Sequence, residues 1–148
     1  MSIVAAVDGT ELDDPTVATG YDLAGAYGET LYLLHVVPEE AFESHLEEIQ
    51  ELDRGADYSL TQEENTARRL ARDVLEGSLV GYEPEAVEAL GRVGDPTEEI
   101  LAVAEEFDAR YVVVGGRRRS PVGKALFGST TQEVLLDSDR PVVTVMRD

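Results

Sequence analysis

The chain has 148 residues, 43% of them hydrophobic, no cysteine, and 31 acids against 12 bases for a formal net charge of −19. That length suits one domain, 1–148, with a buried core, and the lack of cysteine excludes disulfides and leaves His35 and His45 without soft partners for a structural zinc site. So acidic a surface repels nucleic-acid phosphates, no apolar run nears the roughly 18 residues that span a bilayer, and the opening MSIVAAVDGT lacks the features of a signal peptide. The expectation is a cytoplasmic protein that binds neither nucleic acid nor membrane.

Residues 3–8, IVAAVD, form a short apolar run closed by an acid and a glycine, the pattern of a strand buried on both faces. Asp13-Asp14-Pro15 then opens a helix that runs to Gly28, with proline near its first position. TLYLLHVV (30–37) reads as a second buried strand, with His35 as a packed or hydrogen-bonded residue. An acidic insertion around 38–64 follows, where ten acids face Arg54 alone; it reads as exposed and mobile, with His45 solvated. Thr61-x-x-Glu64 fits a capping box, and Ala67, Leu70, Ala71, Val74 and Leu75 continue at helical spacing.

AVEALGRVG (86–94) predicts a third strand, Asp95-Pro96-Thr97-Glu98 a helix start, and RYVVVGG (110–116) a fourth strand. A loop over 117–127 leads to a helix near 130–137, and PVVTVM (141–146) closes the chain as a last strand. Strands alternating with helices imply an α/β fold, a doubly wound parallel sheet with right-handed crossovers and helices on both faces.

Charge is distributed unevenly. Acids lie on every predicted helix, a pattern suited to concentrated salt, where the Debye length falls to about 3 Å at ~1 M and self-repulsion is screened. Yet 109–132 holds no carboxylate, and Arg110, Arg117, Arg118, Arg119 and Lys124 all fall within it. Gly115-Gly116 would let the backbone turn sharply and approach a ligand, and Gly128-Ser129-Thr130 would start a helix whose free N–H groups favour an anion. Together these read as a phosphate cradle. Ser129-x-x-Gln132 equally fits an ordinary capping box. The window is no Walker A loop, because Arg118 and Ala125 replace the glycine and the hydroxyl residue that such a loop needs. In open parallel sheets a ligand sits beyond the strand carboxyl ends, at the point where strand order reverses. If the first and fourth strands are neighbours there, Asp8 faces the glycine window across one crevice.

VAAVDGT, LLHVV, GRVGDPTEEILAVAEEFDARYVVVGG, GKALFGSTTQEVL and DSDRPVVTVM together resemble the universal stress protein family over nearly the whole chain. The resemblance implies a five-stranded parallel sheet in the order 3-2-1-4-5, adenine nucleotide alpha hydrolase-like or Rossmann-like, and homodimers. In that order the apolar last strand, with Val142, Val143, Val145 and Met146, lies on the sheet edge, where the homodimer is expected to pair. Some members bind ATP in that crevice and others do not. The family's ATP signature is Gly, two residues, Gly, nine residues, Gly and then Ser or Thr. Here Gly115 and Gly128-Ser129 keep the spacing, while Arg118 replaces the middle glycine. By resemblance, Asp8 meets the adenosine and the Val36 backbone the base. Ala6, Val7 and Val114 line the pocket, and Gly115, Gly128, Ser129 and Thr130 hold ribose and phosphates, with Arg118 as a direct phosphate donor or an obstruction.

The resulting expectation is a stress-response homodimer binding ATP or another adenine nucleotide, optionally with Mg2+. The alternative is a family member without ATP, acting as a dimeric interaction module. An enzyme is not expected, a slow ATPase being the one catalytic reading kept, since 109–132 holds neither acid nor histidine to serve as a base.

Overall fold

A computed structural model describes residues 1–51, 59–118 and 125–147, apart from the side chains of 49–51, 117–118 and 125–126. In chain order the elements are β1 (Ser2–Ala6), α1 (Pro15–Tyr27), β2 (Leu31–Pro38), α2 (Glu39–Glu51), α3 (Leu60–Ser78) and β3 (Val87–Gly94). They continue with α4 (Pro96–Glu106), β4 (Ala109–Arg118), β5 (Ala125–Leu126), α5 (Ser129–Asp137) and β6 (Val142–Arg147).

Five strands pair in parallel, in the spatial order β3-β2-β1-β4-β6. Counting only these, the order is the expected 3-2-1-4-5. The register sets Ala5 beside Leu33 on one flank and Val113 on the other, and Val113 beside Val143. Two-residue β5 pairs antiparallel with the far end of β4, Arg117 opposite Leu126 and Arg118 opposite Ala125. Because β6 already holds one edge of β4 at Arg117, β5 occupies the flank that β1 fills lower down.

Side-chain alternation along the strands builds two cores. Ile3, Ala5 and Val7 face α1 and α3, packing with Val17, Ala71 and Val74; Val4, Val112 and Val114 face α4 and α5, packing with Ile100, Val103 and Val134. Ile3, Val4, Leu33, Leu34, Val112 and Val113 are fully buried. Each such side chain contributes about 1.5–3 kcal/mol of transfer free energy, and that burial holds the first and fourth strands side by side.

Three departures from the sequence reading have physical causes. β4 does not turn at Gly115-Gly116 but runs straight through to Arg118. The glycines answer close packing instead: a Cβ on Gly115 would lie 3.2 Å from Thr16 Oγ1, and one on Gly116 only 2.7 Å from Met146 Sδ and 3.0 Å from the Phe127 ring. Secondly, the capping box at α3 is Ser59 with Gln62 rather than Thr61 with Glu64: Gln62 N–H donates to Ser59 Oγ and Ser59 N–H to Gln62 Oε1. Thirdly, 39–51 of the stretch read as a mobile insertion is the regular helix α2. His45 on that helix is only half exposed, its Nδ1 2.9 Å from Oε1 of Glu63, a carboxylate on α3 with 2% exposure. Arg54 lies outside the described residues. Among the described residues, no helix is long and apolar enough to cross a membrane.

Candidate functional site

Beyond the carboxyl ends of β1 and β4 the chain leaves in opposite directions, β1 into α1 on one face and β4 toward α5 on the other. A crevice of about 940 Å³ opens between them, large enough for a nucleotide. Its floor is Ala6, Val7 and Val114, with Leu34 and Val36 from β2. Asp8, Thr10, Glu11, Asp14 and Thr16 form one wall, and Gly128, Ser129, Thr130 and Thr131 the other. The adjacency of Asp8 to the glycine window, a conditional in the sequence, follows directly from the β1–β4 pairing.

Nine of the ten residues expected at the site therefore line one crevice: Ala6, Val7, Asp8, Val36, Val114, Gly115, Gly128, Ser129 and Thr130. The tenth, Arg118, has its backbone in the β4–β5 pair, extended rather than left-handed, so a non-glycine residue meets no backbone strain there. Its side chain, with that of Arg117 and all of Arg119 and Lys124, lies outside what the structure describes.

The α5 wall is held by hydrogen bonds that leave the helix start open. Thr131 Oγ1 donates to the Gly115 carbonyl at 2.9 Å, and Thr97 Oγ1 on α4 donates to Glu133 at 2.6 Å. Gly128 is the N-cap, with no side-chain cap bond, and a Cβ there would meet nothing within 4 Å. The alternative capping box does not form; Gln132 Nε2 donates instead to the Phe127 carbonyl. The first turn carries no acid. Backbone N–H groups and the positive end of the helix dipole thus face the crevice.

The opposite wall is acidic. Asp8 Oδ1 accepts from the N–H and the hydroxyl of Thr10 at 3.0 and 2.9 Å, forming a turn that carries the carboxylate at the crevice edge. Gly9 follows with φ +74, where a side chain would also strike Leu70 at 2.6 Å, so the chain can double back only with glycine. His35 is hydrogen-bonded as expected: a carbonyl cannot donate, so Nδ1 carries the proton given to Val7 O at 2.9 Å. Sequence reasoning missed Thr10, Thr131 and Arg147 as lining residues. Arg147 belongs to none of the motifs read from the sequence.

The sequence model described as "Universal stress protein family" matches residues 1–146. The chain belongs to the universal stress protein family. A universal stress protein of Mycolicibacterium smegmatis is 47% identical over 51 residues, 34% of this chain and 39% of that protein, so this match spans well under half of the relative. One of Methanocaldococcus jannaschii is 26% identical over 131 residues, 80% of this chain and 78% of its own length. Among solved structures, a universal stress protein of Archaeoglobus fulgidus superposes with a TM-score of 0.61 at 26% identity, covering 98% of each chain. Two solved complexes share the fold. A universal stress protein with cAMP gives 0.60 at 19% identity over 99% of this chain and 96% of that one, and an Archaeoglobus fulgidus protein with dAMP gives 0.54 at 22% over 98% and 97%.

Proposed function

We propose that this universal stress protein binds an adenine nucleotide, with ATP as the reference ligand, in the crevice between β1 and β4. The observation that carries the reading is the uncapped start of α5, facing the crevice from Gly128 with no acid in its first turn. An anion is favoured at that end, whereas the wall of Asp8, Glu11 and Asp14 favours hydroxyl and amino donors. The two walls set the orientation. Phosphates lie at Gly115, Gly128, Ser129 and Thr130, with Arg118 as a charge-assisted donor; Asp8 meets the adenosine, the Val36 backbone the base, and Ala6, Val7 and Val114 the apolar surface. The cAMP and dAMP complexes of the fold support the ligand class.

The role is regulatory rather than catalytic. Among the described residues no group of three or more histidine or acidic side chains converges to hold a metal. Mg2+, where it accompanies the nucleotide, would be held through the phosphates, as this ion commonly is. We assign the protein to the cytoplasm and to a salt-rich interior, and its partner to a second copy paired through β6. That strand pairs with β4, and Val142, Val143, Val145 and Met146 along it are half-buried; a sheet edge of this kind invites an antiparallel two-fold partner.

Calorimetry in molar KCl tests the binding: ATP, AMP and adenosine should all bind, and Asp8→Ala should weaken all three alike. Failure of wild-type protein to bind any of them, together with the absence of nucleotide in protein purified without added ligand, would give the crevice to the interaction-module alternative. Light scattering at micromolar protein should return a dimer, and a monomer would remove the β6 pairing.

A further inference from the structure

We infer that Arg147, the last residue of β6, is a positioning residue that straps the β1–α1 loop in place and so sets where Asp8 stands. The inference rests on the nucleotide reading only for the role of Asp8; the strap itself is independent of any ligand. Val143 and Val145 pack with the core beneath α1, and alternation puts Arg147 on that same face, one pleat beyond Val145. From there its Nη1 donates to Glu11 Oε2 at 3.1 Å and lies 3.9 Å from Asp14 Oδ1, with the side chain 16% exposed.

The loop needs such an anchor. Asp8, Thr10, Glu11, Leu12 and Asp13 are all exposed, so apolar burial contributes little to their placement. On the α3 side, Ser78 Oγ donates to the Leu12 carbonyl at 3.1 Å and accepts from Asp14 N–H at 2.9 Å. Arg147 supplies a tie on the crevice side, to Glu11. The contacts of Arg147 are to carboxylates, Glu11 at 3.1 Å and Asp14 at 3.9 Å, so its guanidinium is committed to the loop rather than to a phosphate. The fold thereby uses its edge strand to brace one wall of the crevice.

The test compares wild type, Arg147→Gln and Arg147→Lys. Backbone NMR order parameters for Thr10–Asp13 in unliganded protein should fall in Arg147→Gln and recover in Arg147→Lys, while those of β1 and α1 stay unchanged. The dissociation constants of adenosine and ATP should both rise about three- to fivefold in Arg147→Gln, the scale of one partly exposed ion pair, and their ratio should hold. Unchanged loop order overturns the strap. Weaker ATP with unaltered adenosine also overturns it, because that pattern marks a phosphate contact. A looser loop in a protein whose wild type binds no nucleotide keeps the strap and removes the nucleotide reading instead.

Discussion

Among the helices that begin at or beside the crevice, α1, α4 and α5 begin differently. At α1 and α4 an aspartate caps the helix and a proline follows: Asp14 accepts from Thr16 N–H at 2.9 Å, and Asp95 from Glu98 N–H at 3.0 Å. Each carboxylate satisfies an otherwise unpaired N–H and neutralises the dipole end. At α5 the same position is Gly128, with neither side chain nor carboxylate. Two ends are closed by the protein's own side chains and the third is not. On the proposed reading, the closed ends stabilise the fold and the open one takes the phosphates.

The sharpest way to break this contrast is to close the third end. Gly128 has φ −65 and ψ 163, and a Cβ there meets nothing, so Gly128→Asp fits without strain. Fold stability should rise by only a few tenths of a kcal/mol, since glycine is already a tolerable N-cap. ATP binding should weaken by at least ~3 kcal/mol, because the new carboxylate takes the N–H groups and repels the phosphates. Calorimetry and thermal melting on the same variant give both numbers. Unchanged ATP affinity would mean that the open end is not the phosphate site.

Next in size is the basic residue at the family's middle-glycine position. Arg118→Ala should weaken ATP by about 1.5–3 kcal/mol, the loss of one charge-assisted donor, and leave adenosine unaffected. Arg118→Gly should recover much of the loss by restoring the backbone approach. Tighter binding by Arg118→Gly than by wild type would show that arginine obstructs the crevice.

The closed ends should respond in the opposite sense. Asp14→Ala should destabilise the fold by about 1–2 kcal/mol and Asp95→Ala by about 1 kcal/mol, read as denaturation midpoints. Asp14 is the larger because it is 5% exposed and lies 3.9 Å from Arg147, which would lose a nearby carboxylate. Equal effects would argue that the Arg147 contact adds nothing.

The elements themselves were legible because apolar runs such as Ile3–Val7 and Val112–Val114 have few other readings, and because Asp-Pro starts helices for a local reason. What depends on distant neighbours was not. Gly115-Gly116 suggested a turn, yet the need for glycine comes from Thr16, Met146 and Phe127, none nearer than eleven residues in sequence. Two overlapping capping boxes, Ser59/Gln62 and Thr61/Glu64, obey the same spacing rule, and local pattern cannot choose between them. The burial of Glu63 against His45 had no signal at all in so acidic a stretch. At the crevice, the glycine-hydroxyl run and Asp8 were visible from the acid-free window and the strand ends, and the resemblance then assigned their roles residue by residue. Arg147 belongs to no motif and was found only through the strand that delivers it.

The smallest effect expected concerns the charge around a closed end. The first turn of α4 carries Glu98 and Glu99 beside the Asp95 cap, whereas that of α5 carries no acid. Burial pushes the Glu99 carboxyl above its ordinary value, Arg92 opposes the shift, and Glu64, Glu98 and Asp95 add to it. The folded protein therefore holds the Glu99 proton more tightly than the unfolded chain does. Its favourable contribution is fully present below the unfolded-state value and is lost as pH rises through the folded-state value, leaving a small penalty at neutral pH. Glu99→Gln, which mimics the protonated form, should raise stability at pH 7 by about 0.5 kcal/mol or less and give no gain near pH 4. In molar KCl, repulsion from the neighbouring acids is screened while the burial contribution persists, so the gain should shrink without vanishing. An equal gain at both pH values would assign it to packing against Gly94, whose bare backbone lies directly over the Glu99 side chain.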